Sequence, residues 1–381
     1  MRKIVIFGTG KGGRHLFEES KKRKDIEVVA FLDNYQDGSI EGVQIYKPSV
    51  FLECEQKNEY EYYITAGAQK TVKIMLDILL EFHIKDVYVM QDIAGKNGLS
   101  IVKDGAWDTR WIHKMKFEEE RPVIHYFEVP VTDQCNLNCR GCIFGCNSMQ
   151  MGNEHVDTRQ VVADIKRMAE LFCDVPWVRI LGGEPLMHPD IMEILSVARA
   201  SFPDAEIDLC TNGILIPKLD EKIFQELEEL NISIHVSGYP PTERMAEKIE
   251  CVLKKYHLPY TFLHRPEFFK FYTKAPIHQM IQNYENCPTS GCWEVYRGKI
   301  MRCSAVIAYQ KLNKQFGTKY DIVENVDWFD LYSDEWDGVN LKKALNHASH
   351  ACKYCDLENK EMFDWHNGGK PELSDYVLSE G

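Results

Sequence analysis

Val131-Thr-Asp-Gln-Cys135-Asn-Leu-Asn-Cys139-Arg-Gly-Cys142 sets three thiols in one short stretch, directly after an apolar segment, Ile124–Val131, that reads as a strand. Four more strand-like segments follow: Trp177–Leu181, Glu206–Cys210, Ile232–Val236 and Tyr260–Leu263. Between them Thr158–Phe172, Ile191–Ser201, Lys222–Leu230 and Glu243–Tyr256 read as helices, and Asp157 stands where a helix N-cap belongs. Five strand–helix units in a row predict an α/β barrel or partial barrel, whose chemistry gathers at the C-terminal ends of its strands. Three thiolates in a loop at such an end can hold three irons of a 4Fe–4S cube and leave the fourth open to a small chelating molecule. A zinc site or loose surface thiols would give the same spacing.

The next strands end in loops of related character: Leu181-Gly182-Gly183-Glu184-Pro185, then Thr211-Asn212-Gly213, then Ser237-Gly238. Glycines let a backbone approach a ligand closely, and a carboxylate accepts from an ammonium. On these residues the chain resembles the radical S-adenosylmethionine superfamily, whose Cys-x3-Cys-x2-Cys signature it carries as Cys135, Cys139 and Cys142. The resemblance implies a cluster whose open iron binds the amino and carboxylate groups of S-adenosylmethionine. One electron then breaks a C–S bond and gives a 5′-deoxyadenosyl radical. It further implies that the loop Gly182, Gly183, Glu184, Pro185 binds the amino group, that Thr211 and Asn212 belong to the same site, and that Ser237 contacts the ribose. An electron donor such as flavodoxin or ferredoxin is implied as partner. One departure stands out. The family often has an aromatic before the third cysteine, where this chain has Gly141; adenine packing then passes to Phe144 or is absent. Cys146 reads as a spare loop thiol.

The chain has thirteen cysteines, unevenly spread and odd in number, a poor fit to a full disulfide set and a better one to metal or redox chemistry. Cys292 and Cys303 bracket a hairpin-like stretch in which Gly298 lies five before Cys303, and Cys352-Lys-Tyr-Cys355 follows. This resembles the cysteine-bearing extension called SPASM or twitch. It implies that Cys292, Cys303, Cys352 and Cys355 hold one auxiliary 4Fe–4S cluster. A four-thiolate zinc site is the alternative. Cys287 could replace Cys292 as ligand, or stay free and donate a hydrogen atom.

Residues 1–95 alternate in the same way: Lys3–Phe7, Ile26–Leu32, Glu61–Thr65 and Asp86–Met90 as strands, Arg14–Lys22 and Lys70–Phe82 as helices. Gly8, Gly10 and Gly13 form Gly-x-Gly-x-x-Gly between a strand and a helix, and Asp33 ends the next strand. In that context backbone N–H groups favour phosphate and the acid can bind ribose hydroxyls. The segment resembles the small Rossmann-like domain attached to nucleotide-sugar-modifying enzymes, such as bacterial sugar acyltransferases. The alternative is a degenerate interaction domain without ligand.

The expected architecture is α/β: a small Rossmann-like parallel sheet (1–95), a linker (96–120), a partial (β/α)6 TIM-type barrel (121–270) and a cysteine-rich α+β extension (271–381). A formal charge of −13 argues against nucleic acid as main substrate. No stretch approaches the roughly 20 apolar residues of a membrane span, and the N-terminus lacks a signal peptide's core, so a cytoplasmic location with no membrane partner is expected. The expected chemistry is hydrogen abstraction from a small molecule, a sugar, polyol or nucleotide-linked substrate such as a nucleotide sugar, giving oxidation, epimerisation or deoxygenation. The alternatives are a peptide or protein maturase and a non-catalytic metal-binding regulator. Among the histidines weighed (His125, His155, His188, His235), His188 reads as structural, and His235 sits on a barrel strand where it could point inward.

Overall fold

The computed structural model describes residues 1–91, 101–146, 154–277 and 279–379. They divide into two compact units.

The first unit holds residues 1–125, with 172–177 and 204–206. Its elements are β1 (Arg2–Phe7), α1 (Lys11–Ser20), β2 (Ile26–Leu32), β3 (Gly38–Ile40), β4 (Val43–Tyr46), α2 (Pro48–Phe51), β5 (Glu61–Ile64), α3 (Gln69–Glu81), β6 (Val87–Met90), β7 (Val102–Lys103), β8 (Ala106–Trp107) and β9 (Ile112–Lys114). The main sheet runs β3-β4-β2-β1-β5-β6-β9. Its centre is parallel, with β1 between β2 and β5. Covered on both faces, such a strand becomes a continuous apolar run, and Ile4 to Phe7 are all fully buried. Leu16 and Phe17 of α1 join the same core as Ile4, Ile6, Phe31 and Tyr63.

The stretch expected as a linker does structural work. Residues 96–100 lie outside the described residues, but β9 adds an antiparallel edge to β6. The reason is a tertiary anchor: His113 is buried, with Nε2 2.8 Å from Asp174 Oδ2 and Nδ1 2.9 Å from the Asp204 carbonyl. A three-residue strand held by such partners has no periodic signal to read.

The second unit holds residues 126–171, 178–203 and 207–381. In order come β10 (Phe127–Thr132), α4 (Thr158–Leu171), β11 (Trp177–Gly182), α5 (Ile191–Ser201), β12 (Glu206–Thr211), α6 (Glu221–Glu229), β13 (Ile232–Gly238), α7 (Pro240–Glu243), α8 (Ala246–Lys255), β14 (Tyr260–His264), β15 (Glu267–Lys270), α9 (Met280–Asn286), β16 (Glu294–Tyr296), β17 (Lys299–Met301), α10 (Ser304–Phe316), β18 (Trp328–Asp330), α11 (Gly338–Leu345) and β19 (Glu361–Asp364). The sheet order is β14-β13-β12-β11-β10-β16-β17-β18. The five expected strands are present. A sixth parallel neighbour comes from the cysteine-rich extension, whose β16 pairs with β10 at Glu128↔Glu294. The extension thus continues the main sheet through an antiparallel hairpin, β16–β17. The fold is mixed α/β with parallel sheets and a cysteine-rich C-terminal part. Among the described residues β14 and β18 are the edges of this sheet.

The glycine loop of the first unit provides a contrast. A Cβ on Gly13 would stand 1.9 Å from the Gly8 carbonyl oxygen, whereas one on Gly10 would meet nothing within 4 Å. Gly13→Ala is therefore expected to cost on the order of 1–3 kcal/mol through overpacking, and Gly10→Ala to leave the melting curve in place. Thermal unfolding of the two variants beside the wild type checks this.

Candidate functional site

The thiol loop begins where β10 ends, and its first residue after the strand is a buried acid. Asp133 accepts from Lys311 Nζ at 2.6 Å and from the Tyr296 hydroxyl at 2.8 Å. Lys311 also donates to the Phe144 carbonyl inside the loop. Both partners are enclosed, with 4% and 6% of their side chains exposed. The cysteine loop is thus fastened to helix α10 and to hairpin strand β16. Sequence reading missed this pair. The available signal was Lys311 itself, a lysine in a helix otherwise buried on most positions, from Ala305 to Leu312.

The second loop is laced to the first. Gly183 N donates to the Thr132 carbonyl at 2.7 Å, and Glu184 N to the Gln134 carbonyl at 2.8 Å. This brings the Glu184 side chain against the end of β12. The Thr211 hydroxyl donates to Oε1 at 2.8 Å, Asn212 N to Oε2 at 2.8 Å, and Leu186 N to Oε1 at 3.1 Å. Pro185 is buried at the start of the turn that places Leu186. Even with these donors, full burial pushes the Glu184 carboxyl up to about 7. Asn212 completes the link: its Nδ2 donates to Asn136 Oδ1 at 2.6 Å and lies 3.7 Å from Cys135 Sγ. Glu184, Thr211, Asn212 and Cys135, expected together from the sequence, are together. Ser237 ends β13, half-buried.

Donors also face the sulfurs. Leu137 N lies 3.4 Å from Cys135 Sγ, and the Trp365 indole N–H 3.1 Å from Cys139 Sγ. Burial pushes the Cys135 and Cys139 thiols up to about 12, while a hydrogen bond from Cys146 lowers Cys142. Metal binding must therefore displace protons. Trp365 belongs to a C-terminal strap. Arg140 N donates to the His366 carbonyl at 3.0 Å, Gly368 N to the Asn138 carbonyl at 2.8 Å, and Arg140 is ion-paired with Asp375. The strap explains Gly141, since a Cβ there would stand 2.7 Å from the Phe363 ring and 2.8 Å from the Asp375 carbonyl.

In the extension, burial first and then neighbouring thiols act on Cys303: Cys352, Cys355 and Cys287 all raise it. Cys355 likewise responds to Cys352 and Cys287, and its sulfur lies 3.1 Å from the Tyr309 hydroxyl. The quartet within electrostatic reach is thus Cys287, Cys303, Cys352 and Cys355. Cys292, read from the sequence as a ligand, responds instead to Glu128, Glu294 and Arg179 before any thiol. Among the described residues no group of three His, Cys, Asp or Glu is gathered as for a single metal ion.

His188 is buried, with Nε2 at 3.1 Å from the Val156 carbonyl and Nδ1 accepting from Asp190 N. In the first unit the glycine loop borders a cleft of about 710 Å³ lined by Thr9, Lys11, Asp33, Thr65 and Lys70 among others. Asp33 is not free there: Oδ2 accepts from Thr9 N and the Thr9 hydroxyl, and Oδ1 from Tyr35 N and Gln36 N. Burial opposes ionisation, but these bonds outweigh it and hold the carboxyl below its ordinary value. Its four acceptor positions are filled.

A thiol loop at the end of the first strand of a parallel sheet, with a buried glutamate at the end of the second, defines an α/β protein built to hold a cluster and a small polar cofactor. Residues 129–262 match the family model of the Radical SAM superfamily. Its members use a 4Fe–4S cluster and S-adenosylmethionine. GTP 3′,8-cyclase of Alkaliphilus oremlandii (strain OhILAs) is 33% identical over 112 residues, 29% of this chain and 35% of the relative. The same enzyme of Chlorobaculum tepidum is 31% identical over 113 residues, 29% of this chain and 33% of its own. The chain therefore spans about a third of the length of these relatives. Among solved structures, BtrN in complex with AdoMet and 2-DOIA aligns with 68% of this chain and 100% of its own, at TM-score 0.37 and 16% identity. The anSMEcpe structure with bound AdoMet aligns with 38% and 43%, at TM-score 0.31 and 21% identity. No helix among the described residues is long and apolar enough to cross a membrane.

Removing Lys311 takes the nearest cation from a buried carboxylate beside the thiol loop, leaving Arg297 at 3.8 Å. Lys311→Met is expected to cost about 3–5 kcal/mol, read as a lower midpoint in guanidinium titration, with Lys311→Arg recovering part of the loss.

Proposed function

We propose that the chain is a radical S-adenosylmethionine enzyme acting on a sugar, polyol or nucleotide-linked small molecule. The observation that carries the reading is the convergence on Glu184: a fully buried carboxylate, placed by Thr211 and Asn212, at the loop whose next neighbour is Cys135. A carboxylate buried without a cation is costly, and an ammonium is the group that relieves it. Cys135, Cys139 and Cys142 would hold the cluster. The donor set fits, because N–H groups aimed at the sulfurs stabilise an anionic cluster and tune its potential. When bound, that cluster supplies the electron that cleaves S-adenosylmethionine and so generates the radical that removes a substrate hydrogen.

The chain's own residues do the rest. Glu184 orients the cofactor's amino group, with Gly182 and Gly183 giving backbone access. Asn212 fixes both Cys135 and the far side of Glu184. Trp365 covers Cys139 and donates to its sulfur. In the extension Cys287, Cys303, Cys352 and Cys355 would hold an auxiliary cluster, with Cys287 in the place first given to Cys292; such a cluster can take the second electron of an alcohol oxidation. The cleft of the first unit, with Lys11 and Lys70 beside the glycine loop, suits the phosphates of a nucleotide-linked substrate. Ribose hydroxyls would have to compete with Thr9 for Asp33.

After anaerobic reconstitution, reductant-dependent 5′-deoxyadenosine is expected from the wild type and not from Cys139→Ala. The triple variant with Cys135, Cys139 and Cys142 replaced by Ala should keep about four irons. It should lose them when Cys287→Ala is added and keep them when Cys292→Ala is added; the reverse order would return the ligand role to Cys292. No 5′-deoxyadenosine from the loaded wild type would overturn the reading.

Glu184 also predicts a pH dependence. Its carboxyl binds a proton more tightly in the fold than in the unfolded chain, so the ionised form costs stability above about pH 7 and that cost fades as pH falls toward the ordinary carboxylate range. An ammonium requires the ionised form. S-adenosylmethionine affinity should therefore be level above pH 7 and fall below it, by at most about tenfold per unit for one proton. Calorimetric titration across pH 6 to 8 checks the slope, which Glu184→Gln should abolish.

A further inference from the structure

Three of the thiols of the extension have a hydroxyl standing on the sulfur. The Tyr309 hydroxyl lies 3.1 Å from Cys355 Sγ, the Thr289 hydroxyl 3.2 Å from Cys287 Sγ, and the Ser349 hydroxyl 3.6 Å from Cys352 Sγ. Between a thiol and a hydroxyl either partner can donate. A thiolate has no proton to give, so once the sulfur binds a metal the hydroxyl must be the donor. Tyr309 and Ser349 are buried, and Thr289 is exposed. Thr289 and Ser349 come from the turns that carry their own cysteines, whereas Tyr309 is brought by α10 from 46 residues away.

Two further hydroxyls at the same place lack an acceptor. Tyr272 and Tyr320 are each 4% exposed, and neither hydroxyl has a hydrogen-bond partner among the described residues. Both pack on Tyr309, with ring centroids at 4.7 and 4.4 Å. Tyr272 also pairs with Cys355 in an isolated antiparallel bridge. Of the neighbouring charges, that of Cys355 acts most strongly on both hydroxyls. A buried hydroxyl without an acceptor costs free energy. A zinc ion would bring no acceptor, being a bare cation. The sulfides of a 4Fe–4S cubane are acceptors, so this donor set fits an iron–sulfur cluster.

We propose that the hydroxyls of Thr289, Tyr309 and Ser349 donate to the cysteine sulfurs of a 4Fe–4S cluster in the extension and raise its reduction potential, as an electron acceptor requires. The proposal rests on the reading of Cys287, Cys303, Cys352 and Cys355 as cluster ligands. Reduction adds one negative charge, which spreads over the sulfurs. A donor aimed at a sulfur therefore stabilises the reduced form more than the oxidised one, and each such bond moves the potential up. Burial of Tyr309 and Ser349 strengthens the effect, because water does not screen it. An acceptor of this kind selects oxidation among the reactions open to a substrate radical. A carbon radical beside a hydroxyl loses one electron to the oxidised cluster and the hydroxyl proton to water, and becomes a carbonyl. Epimerisation leaves no electron over and has no use for the acceptor.

The test uses the full chain with Cys135, Cys139 and Cys142 replaced by Ala, reconstituted anaerobically, so that the cluster of the extension is seen alone. Its midpoint is read from the EPR signal of the reduced cluster in a stepwise redox titration, with iron and sulfide counted on every sample. Tyr309→Phe, Ser349→Ala and Thr289→Val are each expected to keep about four irons and to shift the midpoint to lower potential, and the pair Tyr309→Phe with Ser349→Ala to shift it further than either alone. Thr289→Ser keeps a hydroxyl and should hold the midpoint of the parent. Because Thr289 is exposed, its variants report on the potential even where Tyr309→Phe loosens the core. Midpoints that stay in place or rise in variants that keep their iron would overturn the inference. A parent that binds no iron, or zinc only, would overturn it together with the auxiliary-cluster reading. The radical reading is judged separately, by reductant-dependent 5′-deoxyadenosine from the wild type.

Discussion

Lys311 and Asp133 meet at 2.6 Å in an enclosure that leaves each almost no contact with water. Taking both charges out of solvent is costly, and further hydrogen bonds from Tyr296 to Asp133 and from Lys311 to the Phe144 carbonyl offset part of that cost. The consequence is positional. Asp133 cannot move without exposing Lys311, and Lys311 cannot move without releasing the segment that carries Cys142. A buried ion pair is a poor source of net stability but can favour a single geometry, because separating the partners leaves Lys311 buried without its carboxylate.

The same logic recurs at the neighbouring loop with the opposite sign. Glu184 accepts three hydrogen bonds and still has its carboxyl raised by burial, so donors position it without satisfying its charge. The protein keeps a buried acid whose charge its hydrogen-bond donors do not fully offset. Glu294 is likewise a fully buried acid held above its ordinary range, by burial and by Glu128 beside it. Such groups lower the stability of the empty fold, and they are the places where a fold gives up stability to bind something.

The extension is organised by packing as well as by charge. Tyr309 touches the rings of Tyr272, Tyr320 and Tyr354 at centroid distances of 4.7, 4.4 and 5.7 Å and turns its hydroxyl to Cys355. A buried tyrosine needs a partner for that hydroxyl, and a thiolate is a suitable one. The C-terminal strap does the equivalent at the first cluster loop, where Trp365 also lies beside Tyr239. Each thiol group therefore has aromatic side chains beside it, one of which offers a donor to a sulfur.

The elements with local signals were legible in the sequence. Parallel strands buried on one or both faces are short apolar runs, and β10 to β14 emerge within a few residues of their expected bounds. Cys135, Cys139, Cys142 and the Gly182–Pro185 loop were legible because cluster chemistry needs those residue types at fixed spacing. What the tertiary structure decided depends on residues far apart in the chain. Asp133 and Lys311 are separated by 178 residues, and Trp365 and Cys139 by 226. No periodicity encodes such a pairing; it is set by which arrangement of the whole chain leaves fewest buried groups unpaired. For that reason the edge strand β9 was read as linker and β16 as part of a separate extension.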